Sequence, residues 1–156
     1  MTRGPIQFDV SVSYGVPRAG VPAPVSFRKW ALAAAKGRIL KADLAIRVVD
    51  TKEACSLNHH YRGKDYATNV LTFVYDDSTP LYGDVVICAP VVAREAKEQR
   101  KDMLAHYAHL TIHAALHLQG YDHEKTRDAE KMEARETALM LKLRYPAPYL
   151  VTEHTQ

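Results

Sequence analysis

The sequence contains little cysteine and no long apolar stretch. Its two cysteines, Cys55 and Cys88, lie far apart and lack Cys-x-x-Cys spacing, which favours reduced, partly buried thiols of a cytoplasmic protein over a disulfide. The longest apolar run, residues 85–93, is interrupted by Pro90 and is too short to span a bilayer. No apolar segment follows Arg3, so we expect neither a secretory signal nor a membrane partner.

Acidic residues are missing between positions 10 and 42, although the net charge of the whole chain is only +3. The basic residues in this interval are Arg18, Arg28, Lys29, Lys36, Arg38 and Lys41. Such a stripe is either an electrostatic footprint for a polyanion or a solvated helix face, and both interpretations stay open. The remaining composition is ordinary, with 47% apolar and 25% charged residues. At 156 residues we expect one domain, residues 1–156, with a real core.

The spacing of apolar residues predicts four strands and about five helices. We expect strands over residues 6–13, 43–49, 69–75 and 83–89, and helices over residues 26–40, 50–61, 90–119 and 126–144. Ser26 and Asp50 are the expected N-caps of the first two helices. The stretch over 90–119 is unusually long, so we expect a break near Lys101 and a new N-cap at Asp102. The sequence therefore predicts an α+β fold in which a four-stranded, mostly mixed sheet packs against the helices.

Three histidines have the spacing of metal ligands. His113 and His117 are four residues apart, so on a helix they share one face with a rise of about 6 Å and can hold a single ion. Gly120 can adopt a positive φ, end the helix and turn the chain back, which lets His123 return as a third ligand. The alternative is a helix whose histidines happen to line a polar face, and the apolar neighbours of His117 argue against it. The pattern therefore predicts a metal site at the end of a helix.

Three imidazole ligands favour zinc with an open coordination position. Structural zinc sites are usually closed by four protein ligands, whereas catalytic sites keep the fourth position for water, whose pKa falls toward about 7. In HExxH proteases, the glutamate after the first histidine is the general base. Ala114 occupies that position here, so proteolysis of this type would lack its proton carrier. Imidazole also suits nickel, copper and iron.

A wider set of residues resembles one protein family. The first motif is His113-x-x-Leu116-His117-Leu118-x-Gly120-Tyr121-Asp122-His123, followed by Met132 and Glu136. The second is Leu57-Asn58-x-x-Tyr61-Arg62-Gly63-Lys64-Asp65-x-x-Thr68-Asn69-Val70-Leu71, and the third is Gly83-Asp84-Val85-Val86-Ile87-Cys88. On these motifs, from about Leu44 to Tyr149, the chain resembles the YbeY family of bacterial endoribonucleases that mature ribosomal RNA. Ala114 departs from the family's usual glycine, and Thr72-Phe73-Val74 stands where Ser-Phe-Pro is frequent.

The resemblance implies a zinc-dependent hydrolase of single-stranded RNA that acts in 3′-end maturation of small-subunit rRNA and in ribosome quality control. It implies one Zn²⁺ held by His113, His117 and His123, and a functionally important arginine, here Arg62. A guanidinium can bind phosphate in bidentate fashion and stabilise charge that builds on phosphorus. Without the resemblance, Arg62 would be only a surface cation. Lys64 could add attraction for phosphate, although solvation is the ordinary role of such a side chain.

Several alternatives stay open on the sequence alone. A zinc-stabilised ribosome-assembly factor could bind rRNA and the small subunit without turnover, and a metalloprotease is a third hypothesis; the open coordination position favours the nuclease. Met132 could pack in the core or form an apolar floor beneath the metal. Glu136 could be a surface carboxylate, pair with a basic residue or accept a hydrogen bond from a ligand histidine. Asp122 could belong to the turn or orient an imidazole.

Overall fold

Four strands and five helices make up the described part of the chain. The computed structural model describes residues 7–35, 41–76, 81–121 and 126–149. The elements in order are β1 (Gln7–Tyr14), α1 (Pro24–Ala33), β2 (Lys41–Val49), α2 (Thr51–Arg62), β3 (Val70–Asp76), β4 (Leu81–Cys88), α3 (Ala89–Glu98), α4 (Met103–Leu118) and α5 (Thr126–Lys142). The predicted α+β class, with about five helices, is confirmed.

The strands form one mixed sheet in the order β1-β2-β4-β3. β1 pairs with β2 and β2 with β4 in parallel, whereas β3 and β4 are antiparallel. Parallel neighbours need a crossover between them, and α1 supplies the one from β1 to β2. The register aligns Val10 with Leu44, and Leu44 with Gly83, so side chains alternate between two faces in step across the strands.

The main core lies between one face of the sheet and helices α1, α4 and α5. Phe27 is fully buried and makes edge-to-face contacts with Trp30 and Tyr107, at centroid distances of 5.6 and 6.0 Å. Strand residues in this core include Val10, Leu44, Ile46, Val48, Val85 and Ile87. A smaller cluster contains residues from α2, α3 and three strands, namely Val49, Ala54, Leu71, Val86, Cys88 and Val91. The helix that carries the predicted metal ligands is therefore anchored in the larger core.

Gly83 in β4 brings the sheet close to the end of α4. A Cβ built at this position would lie 3.1 Å from the Leu118 side chain and 3.1 Å from the carbonyl oxygen of Phe73. Both distances are tighter than ordinary van der Waals contact. The last turn of α4 therefore packs against β4 at Gly83, where the strand has no side chain.

Most helix boundaries follow the predicted caps. The Asp50 carboxylate accepts a hydrogen bond from the Glu53 amide at 2.8 Å, and Asp102 accepts from the Ala105 amide at 3.1 Å. The long helical stretch breaks before Asp102 as predicted, with Arg100 at a φ of 54°. The predicted start of α1 at Ser26 is wrong. Ala23 is the N-cap, because Pro24 at the first position has a suitable φ and no amide hydrogen to satisfy.

Other element ends also differ from the prediction, most by one or two residues. The helix predicted to reach residue 40 ends at Ala33, and residues 36–40 lie outside the described ranges. β4 begins at Leu81 rather than at Gly83. Within the described residues, none of the helices has both the length and the apolar composition needed to cross a bilayer.

Both cysteines are free thiols. Cys88 is buried at the end of β4 and Cys55 is half-buried on α2. Burial raises the pKa of the Cys88 thiol, which makes this side chain a packing element rather than a nucleophile.

Candidate metal centre

The second half of α4 presents two imidazoles on one face of a buried helix. From Leu110 to Leu118, all residues except His113 and His117 are buried. The two rings are parallel, with an interplanar angle of 1° and centroids 6.5 Å apart. Because the surrounding residues are packed in the core, the helix holds both rings in fixed relative positions.

Each of these imidazoles has its Nδ1 atom in a hydrogen bond to the protein. His113 Nδ1 lies 2.8 Å from Glu136 Oε2, and His117 Nδ1 lies 3.1 Å from the carbonyl oxygen of Tyr121. A carbonyl and an ionised carboxylate can only accept, so Nδ1 carries the hydrogen in both rings. A neutral ring in this tautomer has its lone pair on Nε2. This is the arrangement that orients histidines as metal ligands.

Glu136 is the polar centre behind His113. Its side chain is fully buried, and besides His113 it accepts hydrogen bonds from His109 Nε2, at 2.6 Å, and from the Tyr149 hydroxyl. Burial alone would raise the pKa of Glu136, but the hydrogen bonds from His109, His113 and Tyr149 lower it to about 2. The carboxylate is therefore ionised at neutral pH. The surface-carboxylate interpretation is wrong, and the hydrogen bond to a predicted ligand histidine is present.

Met132 lies one turn before Glu136 on α5 and is fully buried in the main core. Among the described contacts, it belongs to the apolar cluster with α4 and the sheet. Core packing therefore accounts for this side chain.

The chain turns at Gly120 as predicted. Gly120 has a φ of 103°, the Gly120 amide donates to the His117 carbonyl at 3.0 Å, and the Tyr121 amide donates to the Leu116 carbonyl at 3.2 Å. These two bonds form the motif that ends many helices with a left-handed glycine. The turn also brings the Tyr121 carbonyl to His117 Nδ1. His123 and Asp122 lie outside the described residues, so the third ligand stays a prediction.

The described residues fit a transition-metal ion. Two parallel imidazoles with fixed Nδ1 hydrogens, one backed by a buried carboxylate, are a nitrogen donor set suited to zinc. Over residues 7–35, 41–76, 81–121 and 126–149, no three His, Cys, Asp or Glu side chains converge as a complete metal site. The predicted third member, His123, falls between two of these ranges.

Arg62 is the last residue of α2, and Lys64 lies in the following loop, which is anchored at both ends. Gly63, with a φ of 67°, ends α2 directly after Arg62, and both basic side chains are exposed. The buried Asn58 donates to the Tyr66 carbonyl at 2.8 Å, and Asn69 donates to Glu95 at 3.0 Å. Asn69 thus stabilises the loop. Within the described contacts nothing joins Arg62 to the histidines, so its role stays a prediction.

The structure adds polar residues that sequence reasoning missed. On α4, His106 is buried with Nε2 2.9 Å from Glu95 Oε1, and burial lowers the pKa of this histidine. His109 lies one turn before His113 and joins it on Glu136. The spacing of histidines at positions 106, 109, 113 and 117 could have indicated that all four lie along the same side of α4. No sequence spacing indicated Tyr149, because its contact with Glu136 depends on how the chain turns back after α5.

Comparison with known proteins agrees with this fold. Residues 26–144 match the family model described as Endoribonuclease YbeY. The chain is 60% identical to the Endoribonuclease YbeY of Xanthomonas axonopodis pv. citri (strain 306) and 61% identical to that of Stenotrophomonas maltophilia (strain R551-3). Each alignment covers 96% of this chain and 98% of the relative. The solution structure of a Thermotoga maritima protein has a similar fold, with a TM-score of 0.62, 24% identity, and coverage of 94% of this chain and 99% of that one.

These matches identify the class of protein to which the chain belongs. An α+β domain with a histidine pair on a buried helix is matched over most of its length by relatives named as endoribonucleases. The chain belongs to the endoribonuclease YbeY family. The resemblance stated from the three sequence motifs is thereby confirmed.

Proposed function

We propose that this protein is a zinc-dependent endoribonuclease that cuts single-stranded RNA. The observation that carries the proposal is the pair of parallel imidazoles, His113 and His117, whose Nδ1 hydrogens are fixed by Glu136 and the Tyr121 carbonyl. Hydrogen bonds that fix the tautomer and orientation of an imidazole are typical of metal-binding histidines. Membership of a family named for endoribonuclease activity supports the choice of reaction.

One Zn²⁺ per chain would be held by His113, His117 and His123. When bound, the metal supplies a Lewis acid for a phosphoryl oxygen and lowers the pKa of a water that can attack phosphorus. Ala114, which follows the first histidine, is fully buried and cannot carry a proton. This argues against the peptidase mechanism that uses a glutamate at that position.

Arg62 and Lys64 would bind the phosphates of the RNA. Both side chains are exposed, Arg62 at the end of α2 and Lys64 in the loop that follows. Hydrogen bonds from Asn58 and Asn69 hold this part of the chain, so the backbone is fixed while the cationic ends are accessible. A guanidinium can form two parallel hydrogen bonds to a phosphate and stabilise charge that develops during attack. Arg62 is therefore the proposed catalytic arginine, and Lys64 adds electrostatic attraction.

The proposed substrate is ribosomal RNA, with action near the 3′ end of the small-subunit rRNA and in ribosome quality control. Partners would then be single-stranded RNA and the small ribosomal subunit, in the cytoplasm. The excess of basic residues between positions 10 and 42 agrees with a polyanionic partner. We propose that all 156 residues serve this activity as one domain.

The deciding experiment is chelation of untagged protein. We expect about one zinc per chain by elemental analysis, and cleavage of a single-stranded fragment spanning the 3′ end of precursor small-subunit rRNA. Because the metal supplies several kcal/mol of transition-state stabilisation, its removal should slow cleavage by about a thousandfold, and added Zn²⁺ should restore it.

Other outcomes identify the other functions. Cleavage that persists in metal-free protein would contradict the proposal. RNA binding that needs zinc but never leads to cleavage would indicate an assembly factor. Proteolysis of a peptide library that stops on chelation would indicate a metalloprotease.

Arg62→Glu should slow RNA cleavage by about a hundredfold, the cost of losing one group that stabilises a developing anion. The zinc content should stay at the wild-type level, because Arg62 is the last residue of α2 and does not belong to α4. Single-turnover cleavage rates and elemental analysis measure the two effects. Arg94→Glu is the matched control, since Arg94 is an exposed arginine on α3. Equal rates for the wild type and Arg62→Glu would remove Arg62 from the mechanism.

A further inference from the structure

Residues 143–149, which follow α5, fold back onto the hydrogen-bond network around Glu136. Arg144 has a φ of 71°, and the Tyr145 amide donates to the Met140 carbonyl at 2.9 Å, so the chain reverses direction at the end of α5. Lys101, at the break between α3 and α4, donates from Nζ to the Pro148 carbonyl at 3.0 Å. Pro148 is buried. The next residue, Tyr149, is thereby held beside α4.

Tyr149 reaches the network with both its ring and its hydroxyl. The ring makes an edge-to-face contact with His109, with centroids 5.2 Å apart and an interplanar angle of 89°. The hydroxyl donates a hydrogen bond to Glu136 Oε1. Although the residue is 41% exposed, its polar atom therefore contacts a carboxylate that is fully buried. Only the hydroxyl of Tyr149 reaches the buried carboxylate, whereas its ring contacts His109.

The two oxygens of Glu136 have separate partners. Oε1 accepts from His109 Nε2 and from Tyr149, whereas Oε2 accepts from His113 Nδ1 at 2.8 Å. Two donors on one oxygen fix the rotation of the carboxylate. The second oxygen is then directed at His113, whose ring orientation it controls. A change at Tyr149 would be transmitted through one carboxylate to a predicted metal ligand.

We infer that Tyr149 is a positioning residue for the metal centre: its hydroxyl locks Glu136, and Glu136 in turn fixes the ring of His113. The inference rests on the proposed function, since it assigns a purpose to Tyr149 only if His113 binds metal. The inference makes metal affinity depend on how residues 143–149 pack beside α4. In this inference Tyr149 acts through Glu136 and is not itself a metal ligand.

The test compares Tyr149→Phe with Tyr145→Phe. The first variant removes the hydroxyl and keeps the ring beside His109; the second makes the same chemical change four residues earlier in the same segment. Metal-free chains are titrated with Zn²⁺ and with Co²⁺ against a chelator of known affinity. The Co²⁺ absorption spectrum reports the geometry of its ligands, independently of RNA cleavage.

We expect Tyr149→Phe to bind both ions roughly tenfold more weakly, at the lower end of the cost of losing a hydrogen-bonding partner around a metal ligand. Its Co²⁺ spectrum should differ from that of the wild type, and excess Zn²⁺ should restore RNA cleavage because all three proposed ligands remain. Tyr145→Phe should match the wild type in affinity and spectrum.

Unchanged affinity and an unchanged spectrum in Tyr149→Phe would overturn the inference, whether or not that variant unfolds at a lower temperature. If the wild type meanwhile binds zinc and cuts RNA, the proposed function stands. A wild-type chain that binds neither ion would overturn both.

Discussion

Replacing His117 with alanine is expected to slow RNA cleavage by roughly three orders of magnitude, because several kcal/mol of Lewis-acid stabilisation are lost with the metal. His117 is one of two half-buried residues in an otherwise buried run of α4, so removing its ring changes the site more than the core. The variant should also contain little zinc after purification. Elemental analysis and single-turnover cleavage of the same preparation measure both effects.

The control is His60→Ala. His60 is an exposed histidine on α2, and its loss should leave zinc content and cleavage unchanged. A His117→Ala protein that keeps its zinc and cuts RNA at the wild-type rate would show that His117 is not a ligand. Loss of cleavage with full zinc content would instead give His117 a role in contacting RNA.

The second large effect is expected for Glu136→Gln. Three donors from His109, His113 and Tyr149 converge on this carboxylate, and the amide nitrogen of glutamine would face at least one of them. A buried donor left without a partner costs about 1–3 kcal/mol, so the metal-free chain should lose that much free energy of unfolding. Zinc affinity should fall by about 10- to 100-fold, because the orientation of His113 is no longer fixed.

Urea denaturation of the metal-free chain and chelator competition separate these two losses. Glu130→Gln makes the same substitution at an exposed position of α5 and should leave both quantities unchanged. If Glu136→Gln binds zinc as tightly as the wild type, Glu136 is a purely structural residue. The tautomer assigned to His113 would then have no bearing on metal binding.

Local signals in the sequence were sufficient for most of the fold. Asp50 and Asp102 were predictable as N-caps because the capping hydrogen bond involves residues only three positions apart. The start of α1 was mispredicted because a proline at the first helical position outweighed the serine two residues later. The order β1-β2-β4-β3 could not be read from the sequence, because it depends on which distant strands pair.

In the candidate site too, local features could be predicted from the sequence, whereas contacts between distant elements could not. The spacing of His113 and His117 and the turn at Gly120 follow from helix geometry, and the structure has both features. Glu136 was recognised as a possible partner of a histidine, but its burial depends on how α5 packs on α4. Sequence periodicity could not decide between an exposed and a buried carboxylate there. The contact between Tyr149 and Glu136 was not predictable either, because it depends on long-range packing. It requires both the break at Lys101 and the turn after α5.

Gly83 leaves β4 without a side chain where the last turn of α4 packs on it. A methyl group there would meet the Leu118 side chain and the Phe73 carbonyl, so these neighbours would have to shift by a few tenths of an ångström. Any resulting movement of α4 would be largest at the end that carries His117. His113, one turn earlier, would move less. Through such a movement, a substitution in the sheet would change the relative orientation of the two proposed metal ligands, His113 and His117.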